Sequence, residues 1–172
     1  MPPRFEVRPY RPADAAAVDA VNERAFGRRA EPDLVRALRA SSDPPLELVA
    51  ERAGAVIGHV AFSTVVPERV AAGVVATALG PLAVEPACQR AGVGIALSEA
   101  GIAACAARGD GLLFVLGHPE YYPRFGFRPA LELGFRYRSP DFDRAFFVRE
   151  LAPGAGRGGG GLVRYHPTFE ST

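Results

Sequence analysis

The alternation of apolar and polar residues predicts that the chain starts with a strand and two helices. Residues 5–8 alternate and precede prolines, which is typical of a short strand. Apolar residues recur at helical spacing over residues 14–26, and a second short helix is expected after Pro32. The run SSDPP at residues 41–45 then turns the chain.

Three longer apolar segments in the middle of the chain predict a sheet. Residues 46–52 and 55–66 flank the dipeptide Ala53-Gly54, which favours an antiparallel hairpin. Residues 74–84 predict a third strand that contains Gly80 and Pro81. Because proline cannot donate a hydrogen bond to a strand ladder, we expect this strand to bulge or to part from its neighbour.

A helix and a buried strand follow the third strand. Residues 93–108 predict a helix with one stripe of mostly small apolar residues, able to lie close on a sheet: Val93, Ala96, Leu97, Ala100, Ala103, Ala104 and Ala107. The run LLFVL at residues 112–116 is typical of a strand covered on both faces. The order strand, helix, strand predicts a parallel pair.

The remaining pattern is weaker. Residues 146–151 and 162–165 predict late strands. The glycine-rich run at residues 155–161 favours a flexible surface loop over a phosphate loop, because no Lys-Ser or Lys-Thr pair follows it.

Composition limits the function classes. A chain of 172 residues, 48% hydrophobic and 23% charged, suits one soluble domain without a membrane span. The net charge is +1 and no basic run stands out, which argues against nucleic-acid binding. Cys88 and Cys105 are too few for a disulfide framework or a zinc site, and we expect no metal. Residues 1–12 lack the pattern of a secretory signal, so we expect a cytoplasmic protein.

The motif QRAGVG at residues 89–94 precedes the predicted helix 93–108 and carries the main functional signal. A helix start offers unpaired backbone N–H groups and partial positive charge, and Gly92 and Gly94 let the backbone approach a ligand. This arrangement predicts a phosphate-bearing ligand. A dinucleotide fingerprint requires a small residue where Leu97 stands, and a triphosphatase loop requires Gly-Lys-Ser or Gly-Lys-Thr, so both alternatives fail.

Three motifs together resemble the GNAT superfamily of N-acetyltransferases. Gln89, Gly92 and Gly94, followed by Ala96 and Leu97, resemble its acetyl-CoA pyrophosphate loop. The runs LGPLAV at residues 79–84 and YYPRFGF at residues 121–127 resemble its splayed fourth strand and its tyrosine motif. The resemblance covers about residues 4–130, and LGHPEYYPRFGF with the late run VRYHPTF is similar to a YhbS-like bacterial branch of predicted acetyltransferases.

The resemblance implies a fold and an activity. The fold is a single-domain α/β acyl-CoA N-acyltransferase fold, with a mixed central sheet splayed at the fourth strand and flanked by helices. It implies one domain over residues 1–172, in which residues 131–172 complete the sheet and the acceptor side. The implied reaction moves an acetyl group from acetyl-CoA, a co-substrate, to a primary amine of a small molecule or peptide by direct attack in a ternary complex. A catalytically weak acyl-CoA-binding sensor or regulatory module is the alternative, and a homodimer is left open.

The resemblance also implies site residues. The cofactor would contact the strand end and the loop that follows it: Leu82, Ala83, Val84, Gln89, Arg90, Ala91, Gly92, Val93, Gly94 and Ile95. Tyr122 is the candidate general acid for the leaving thiolate. His118 is a candidate base or substrate contact, since an imidazole titrates near neutrality. His59 is more simply a structural histidine, and a water chain to either histidine is an equal alternative for the base.

Overall fold

A computed structural model describes residues 4–171. These residues form three helices and nine strands, joined by loops and short 3-10 turns. The helices are α1 (Ala15–Phe26), α2 (Ala30–Arg39) and α3 (Val93–Ala107). The strands are β1 (Glu6–Pro9), β2 (Leu46–Arg52), β3 (Ala55–Arg69), β4 (Ala76–Val84), β5 (Leu112–Leu116), β6 (Arg128–Pro129), β7 (Phe135–Arg136), β8 (Phe146–Glu150) and β9 (Gly160–Arg164).

The chain forms two compact units, and each unit combines separate segments. The described part of the first unit comprises residues 4–62, 81–101 and 167–171, and the second unit comprises residues 63–80 and 102–166. Three elements, β3, β4 and α3, therefore contribute residues to both units. The prediction of one domain over residues 1–172 stays a prediction, and its residues 1–3 and 172 lie outside the described residues, as do the first three residues used for the targeting expectation.

The first unit contains an antiparallel sheet with helices packed against it. β2 pairs with β1 and with the first half of β3, where Leu46 lies opposite Phe62. Val18 of α1, Val35 of α2 and Val49 of β2 form a buried apolar cluster. The predicted hairpin over β2 and β3 is confirmed.

Two glycines of the first unit allow α3 to lie close on β3. A Cβ atom on Gly58 would lie 2.8 Å from Cδ1 of Leu97 and 2.9 Å from Cγ1 of Val93. A Cβ atom on Gly101 would lie 2.1 Å from Cε2 of Phe62. The close approach predicted for this helix is present, but its basis is these glycines.

The second unit contains the parallel strand pair. Residues Ala76 to Leu79 of β4 pair in parallel with Leu112 to Val115 of β5, as predicted. β8 pairs antiparallel with β5 and with β6, while β9 pairs with the second half of β3 and with β7. The core of this unit is rich in aromatic side chains, and Phe114 contacts both Phe135 and Phe146.

One prediction from the pattern was wrong, and another holds for only part of its range. The buried side of α3 consists of Val93, Leu97, Ser98, Gly101, Ile102 and Cys105, whereas Ala103 and Ala107 are exposed. Alanine occurs on both buried and exposed faces of a helix, so it does not mark the buried face. The predicted apolar face, which was based mainly on alanines, therefore differs from the observed buried face of α3. The run at residues 155–161 forms a turn and irregular backbone only over residues 155–159, because Gly160 and Gly161 begin β9.

Candidate active site

The end of β4 provides the first part of the candidate site. The pairing of β4 with β5 stops at Leu79, and β4 continues through Gly80 and Pro81 to Val84. Gly80 has a φ of 143°, a conformation that side-chain-bearing residues rarely adopt, and Pro81 has no N–H to donate. The expected departure from the neighbouring strand therefore falls at these two residues. Beyond them Ala83 is buried, whereas Leu82 and Val84 are half-buried.

The loop before α3, which we call the glycine turn (Gln89 to Gly92), is exposed and has an unusual backbone. Gln89 is extended, Arg90 has a φ of 61° and Gly92 a φ of 85°. The N–H of Ala96 donates to the carbonyl of Gly92 over 3.0 Å. The N–H groups earlier in α3, those of Val93, Gly94 and Ile95, precede this bond and point out of the helix start. Left-handed residues leading into a helix start form a concave backbone surface that suits an anion.

Two side chains of the glycine turn are polar, and they have different environments. Nε2 of Gln89 donates to the carbonyl of Val84 over 3.2 Å, so this side chain folds back onto the end of β4. Arg90 is exposed, and within residues 4–171 no hydrogen bond or ion pair engages its guanidinium. Ala91 lies between the two left-handed residues and is also exposed.

Glu85 joins the end of β4 to the glycine turn and to two other elements. Its N–H donates to the carbonyl of Ile57 over 2.8 Å, and its carbonyl accepts from the N–H of Cys88 over 2.8 Å. Its carboxylate accepts from Arg24 of α1, with Nε at 2.8 Å and Nη2 at 2.7 Å. This ion pair was not predicted, since its partners are 61 positions apart in the sequence and neither lies in a motif.

A second polar contact involves the cysteine of the turn that precedes Gln89. Cys88 is buried, and its sulfur accepts a hydrogen bond from Nη2 of Arg52 over 3.1 Å. Both cysteines are free thiols.

In the second unit, Tyr122 lies in an aromatic cluster that keeps it neutral. Its ring lies 5.0 Å from that of Tyr121 and 5.9 Å from that of Phe127, measured between centroids. Gly117 makes room for it, because a Cβ there would lie 2.3 Å from Cε2 of Tyr122. Burial raises the pKa of the Tyr122 hydroxyl to about 12, so it keeps its proton at neutral pH.

The two candidate histidines have opposite environments. His118 is exposed, and its carbonyl accepts the N–H of Tyr121 over 3.1 Å, which closes the turn before the tyrosine motif. His59 is fully buried in the first unit, with Nε2 at 2.8 Å from Oε1 of Glu47 and Nδ1 at 3.0 Å from Nδ2 of Asn22.

The contacts of His59 assign it a structural role. Burial alone would raise the pKa of Glu47, but hydrogen bonds from His59 and Arg39 hold it below its ordinary value. The carboxylate accepts hydrogen bonds only, so Nε2 of His59 carries the proton and Nδ1 accepts from Asn22. With both ring nitrogens engaged in the core, His59 has no lone pair left for a substrate.

Within residues 4–171, two further kinds of feature are absent. No group of three or more His, Cys, Asp or Glu side chains is arranged to hold a metal ion. None of the helices in this range combines the length and apolar character needed to cross a membrane.

Comparison with known proteins identifies the family. A family model described as an acetyltransferase (GNAT) domain matches residues 46–129. The chain is 37% identical over 159 residues to the uncharacterized N-acetyltransferase YhbS of Escherichia coli K12, covering 92% of this chain and 94% of YhbS. The chain belongs to the GNAT acetyltransferases. This membership makes it an acyltransferase and confirms the resemblance, including its YhbS-like branch.

Solved structures of GNAT acetyltransferases agree with this fold along nearly the whole chain. The Escherichia coli YhbS structure in complex with CoA superposes with a TM-score of 0.91 at 36% identity, covering 99% of this chain and 94% of YhbS. A GNAT acetyltransferase from Brucella melitensis in complex with acetyl-CoA gives a TM-score of 0.80 at 34% identity, covering 97% and 99%. The predicted GNAT fold with its mixed sheet is confirmed.

Proposed function

We propose that this GNAT acetyltransferase transfers an acetyl group from acetyl-CoA to a primary amine of a small molecule or peptide. The observation that carries the proposal is the glycine turn, whose left-handed Arg90 and Gly92 lead into the start of α3. Its exposed backbone suits the diphosphate of CoA. Two relatives of similar fold were solved with CoA and with acetyl-CoA, which supports the same co-substrate here.

The proposed cofactor site lies on one continuous stretch of chain. The end of β4, Leu82 to Val84, would bond the pantetheine arm through its backbone and polarise the thioester carbonyl. Donors of this kind aimed at a developing oxyanion typically contribute about 10²- to 10³-fold in rate. The glycine turn would hold the diphosphate through backbone N–H groups and the Arg90 guanidinium, whose planar donors match phosphate oxygens. Gln89 would act indirectly, by holding the turn against Val84.

The proposed chemistry is direct aminolysis in a ternary complex. The neutral amine attacks the thioester carbon, a C–N bond forms, the C–S bond breaks, and the leaving thiolate takes a proton. Tyr122 supplies that proton, because its buried hydroxyl stays protonated across the neutral range. The base that removes the amine proton is His118 or a water chain to it. His59 has both ring nitrogens engaged.

Calorimetric titration with acetyl-CoA, CoA and NAD tests the cofactor assignment. Gly92→Asp should abolish micromolar acetyl-CoA binding, because it places a strained, negatively charged residue where the diphosphate would lie. Gly73→Asp is the matched control: Gly73 also has a left-handed φ, 80°, open space around its α-carbon and an exposed position, but it lies in another turn.

The control should bind acetyl-CoA like the wild type, and neither protein should bind NAD. If the wild type binds neither CoA species, the cofactor assignment is wrong. Binding without turnover of any amine, in a screen that detects the free thiol, would favour the acyl-CoA sensor.

Tyr122→Phe tests the general acid. The variant keeps the ring contacts but loses the proton donor, so kcat should fall about 10²-fold while acetyl-CoA affinity is retained. Tyr121→Phe removes a neighbouring hydroxyl and should keep kcat within a factor of about two. An unchanged kcat in Tyr122→Phe at every pH would exclude Tyr122 as the acid.

A further inference from the structure

Arg24 lies far from the GNAT motifs in sequence, but its side chain pairs with Glu85. Glu85 begins the segment that leads into the glycine turn, residues 85–88, which we call the stem of the turn. It occupies the last turn of α1 and donates to both carboxylate oxygens of Glu85, at 2.8 and 3.0 Å from Nε and 2.7 Å from Nη2. Both residues belong to the first unit. Two-point contact of this kind fixes the direction of both side chains.

Glu85 is an unfavourable residue at this position for an anion site. It directly follows β4, and its carbonyl accepts from Cys88, the residue before the glycine turn. Gln89 folds back onto Val84, the residue before Glu85, so the start of the turn lies against the same short stretch of chain. An unpaired carboxylate on this short stretch would repel an anion bound at the turn, and most strongly at low salt, where charges are least screened.

The ion pair removes that obstacle. The guanidinium of Arg24 cancels the charge of Glu85, and the side chain of Arg24 stays about half exposed. The Glu85 carboxylate raises the pKa of Arg24, so the guanidinium remains charged at any pH of interest. The stem thus keeps the ties that Glu85 makes to Ile57 and Cys88 without presenting a net negative charge.

We propose that Arg24 is a further determinant of CoA binding, which neutralises Glu85 and thereby makes the glycine turn receptive to a diphosphate. It is a positioning residue that acts through Glu85. The inference rests on the proposed function, since it concerns the affinity of the same cofactor site.

A set of charge variants tests the inference by calorimetric titration with CoA at low salt. Arg24→Gln leaves an unpaired carboxylate beside the turn and should raise Kd about two- to fivefold. Glu85→Gln removes the negative charge and should leave Kd equal to or lower than that of the wild type. The double variant Arg24→Gln/Glu85→Gln should recover most of the lost affinity.

Salt and a control variant make the electrostatic origin visible. The difference between Arg24→Gln and the wild type should shrink at 0.5 M salt, because added ions screen the unpaired carboxylate. Arg36→Gln is the matched control, since it removes the same charge from an arginine that pairs with Asp19 and Asp33. Its Kd should equal that of the wild type.

Three outcomes are decisive. An unchanged Kd in Arg24→Gln, with the wild type binding CoA, overturns the inference and leaves the proposed function intact. Equal weakening in both single variants without recovery in the double variant also overturns it, because the pair would then be only a mechanical tie. If the wild type fails to bind CoA, the proposed function itself fails.

Discussion

At the scale of single residues, Arg90 has a backbone conformation that its residue type disfavours. A left-handed φ costs a residue with a Cβ about 1–2 kcal/mol, and glycine is the usual solution. An arginine in this conformation, two residues before a glycine that also adopts it, suggests a role for its guanidinium. We therefore expect the side chain, as well as the backbone, to contribute to the diphosphate site.

Two substitutions at Arg90 separate side chain from backbone. Arg90→Gly and Arg90→Ala both remove the guanidinium and should both raise the Kd for acetyl-CoA about tenfold, the effect of losing charge-assisted hydrogen bonds. Glycine also relieves the left-handed conformation, so the glycine variant should be more stable than the alanine variant by ~1 kcal/mol. Titration calorimetry and urea unfolding measure the two effects. If only the alanine variant loses affinity, the backbone alone carries the binding.

The sequence predicted the backbone of the candidate cofactor site better than the contacts of its side chains. Glycines at a helix start are visible in a sequence because their effect is local. The inward turn of Gln89 and the pairing of Glu85 with Arg24 depend on which distant segments meet, and residue spacing carries no such information. Likewise, only the contacts of His59 decide that it is structural.

At the scale of elements, the close contact between α3 and β3 depends on two positions without side chains, Gly58 and Gly101. Phe62 is fully buried, and its ring lies against the α-carbon of Gly101. A helix of ordinary composition would lie farther from the strand. The distance between these two elements is therefore set by Gly58 and Gly101.

Gly101→Ala measures this constraint. Alanine in a helix normally stabilises a protein by up to about 1 kcal/mol relative to glycine. Here the new methyl group would overlap the Phe62 ring, so we expect a net loss of about 1–3 kcal/mol in the free energy of unfolding. Glu99→Ala, an exposed position on the same helix, should change it by less than about 0.5 kcal/mol in the same urea titration. A more stable Gly101→Ala variant would contradict the close contact.

The length of an element decided how well the sequence predicted it. The bounds of β2 and β5 match the prediction, because each has several residues of clear apolar pattern between turn residues. The two-residue strands β6 and β7 are too short to show any periodicity and were missed. Gly160, with a φ of 147°, begins β9, although the glycine-rich composition of this run predicted a flexible loop.

At the scale of the whole molecule, buried neutral groups make the free energy of unfolding decrease at alkaline pH. Burial raises the pKa of Cys105 to about 12 from an ordinary value near 9, and that of Tyr122 to about 12 from near 10. Burial also raises the pKa of Tyr165. A raised pKa means that the folded state holds its proton more tightly than the unfolded state, so the stabilisation is complete below the unfolded value and is lost as pH rises toward the folded one.

We therefore expect the free energy of unfolding to fall between about pH 9 and pH 12. Each such group contributes a slope of about 1.4 kcal/mol per pH unit within its own window. Urea unfolding at intervals from pH 8 to pH 11 measures the slope, and Cys105→Ala should reduce it by the share of one group, starting near pH 9. A free energy that stays constant over this range would show that these groups are not buried in neutral form.

Because each unit is built from segments that are separate in sequence, neither unit can be completed early during synthesis of the chain. The chain passes from one unit to the other three times within an element, in β3, β4 and α3, and once more before Pro167. Residues 167–171 contact α2, so the first unit receives this piece only after residues 102–166 of the second unit have been synthesised. Neither unit corresponds to a continuous stretch of messenger RNA, so a gene truncated at any point before residue 166 would encode neither unit completely. Pairings between distant segments, which form slowly, therefore dominate folding of the nascent chain.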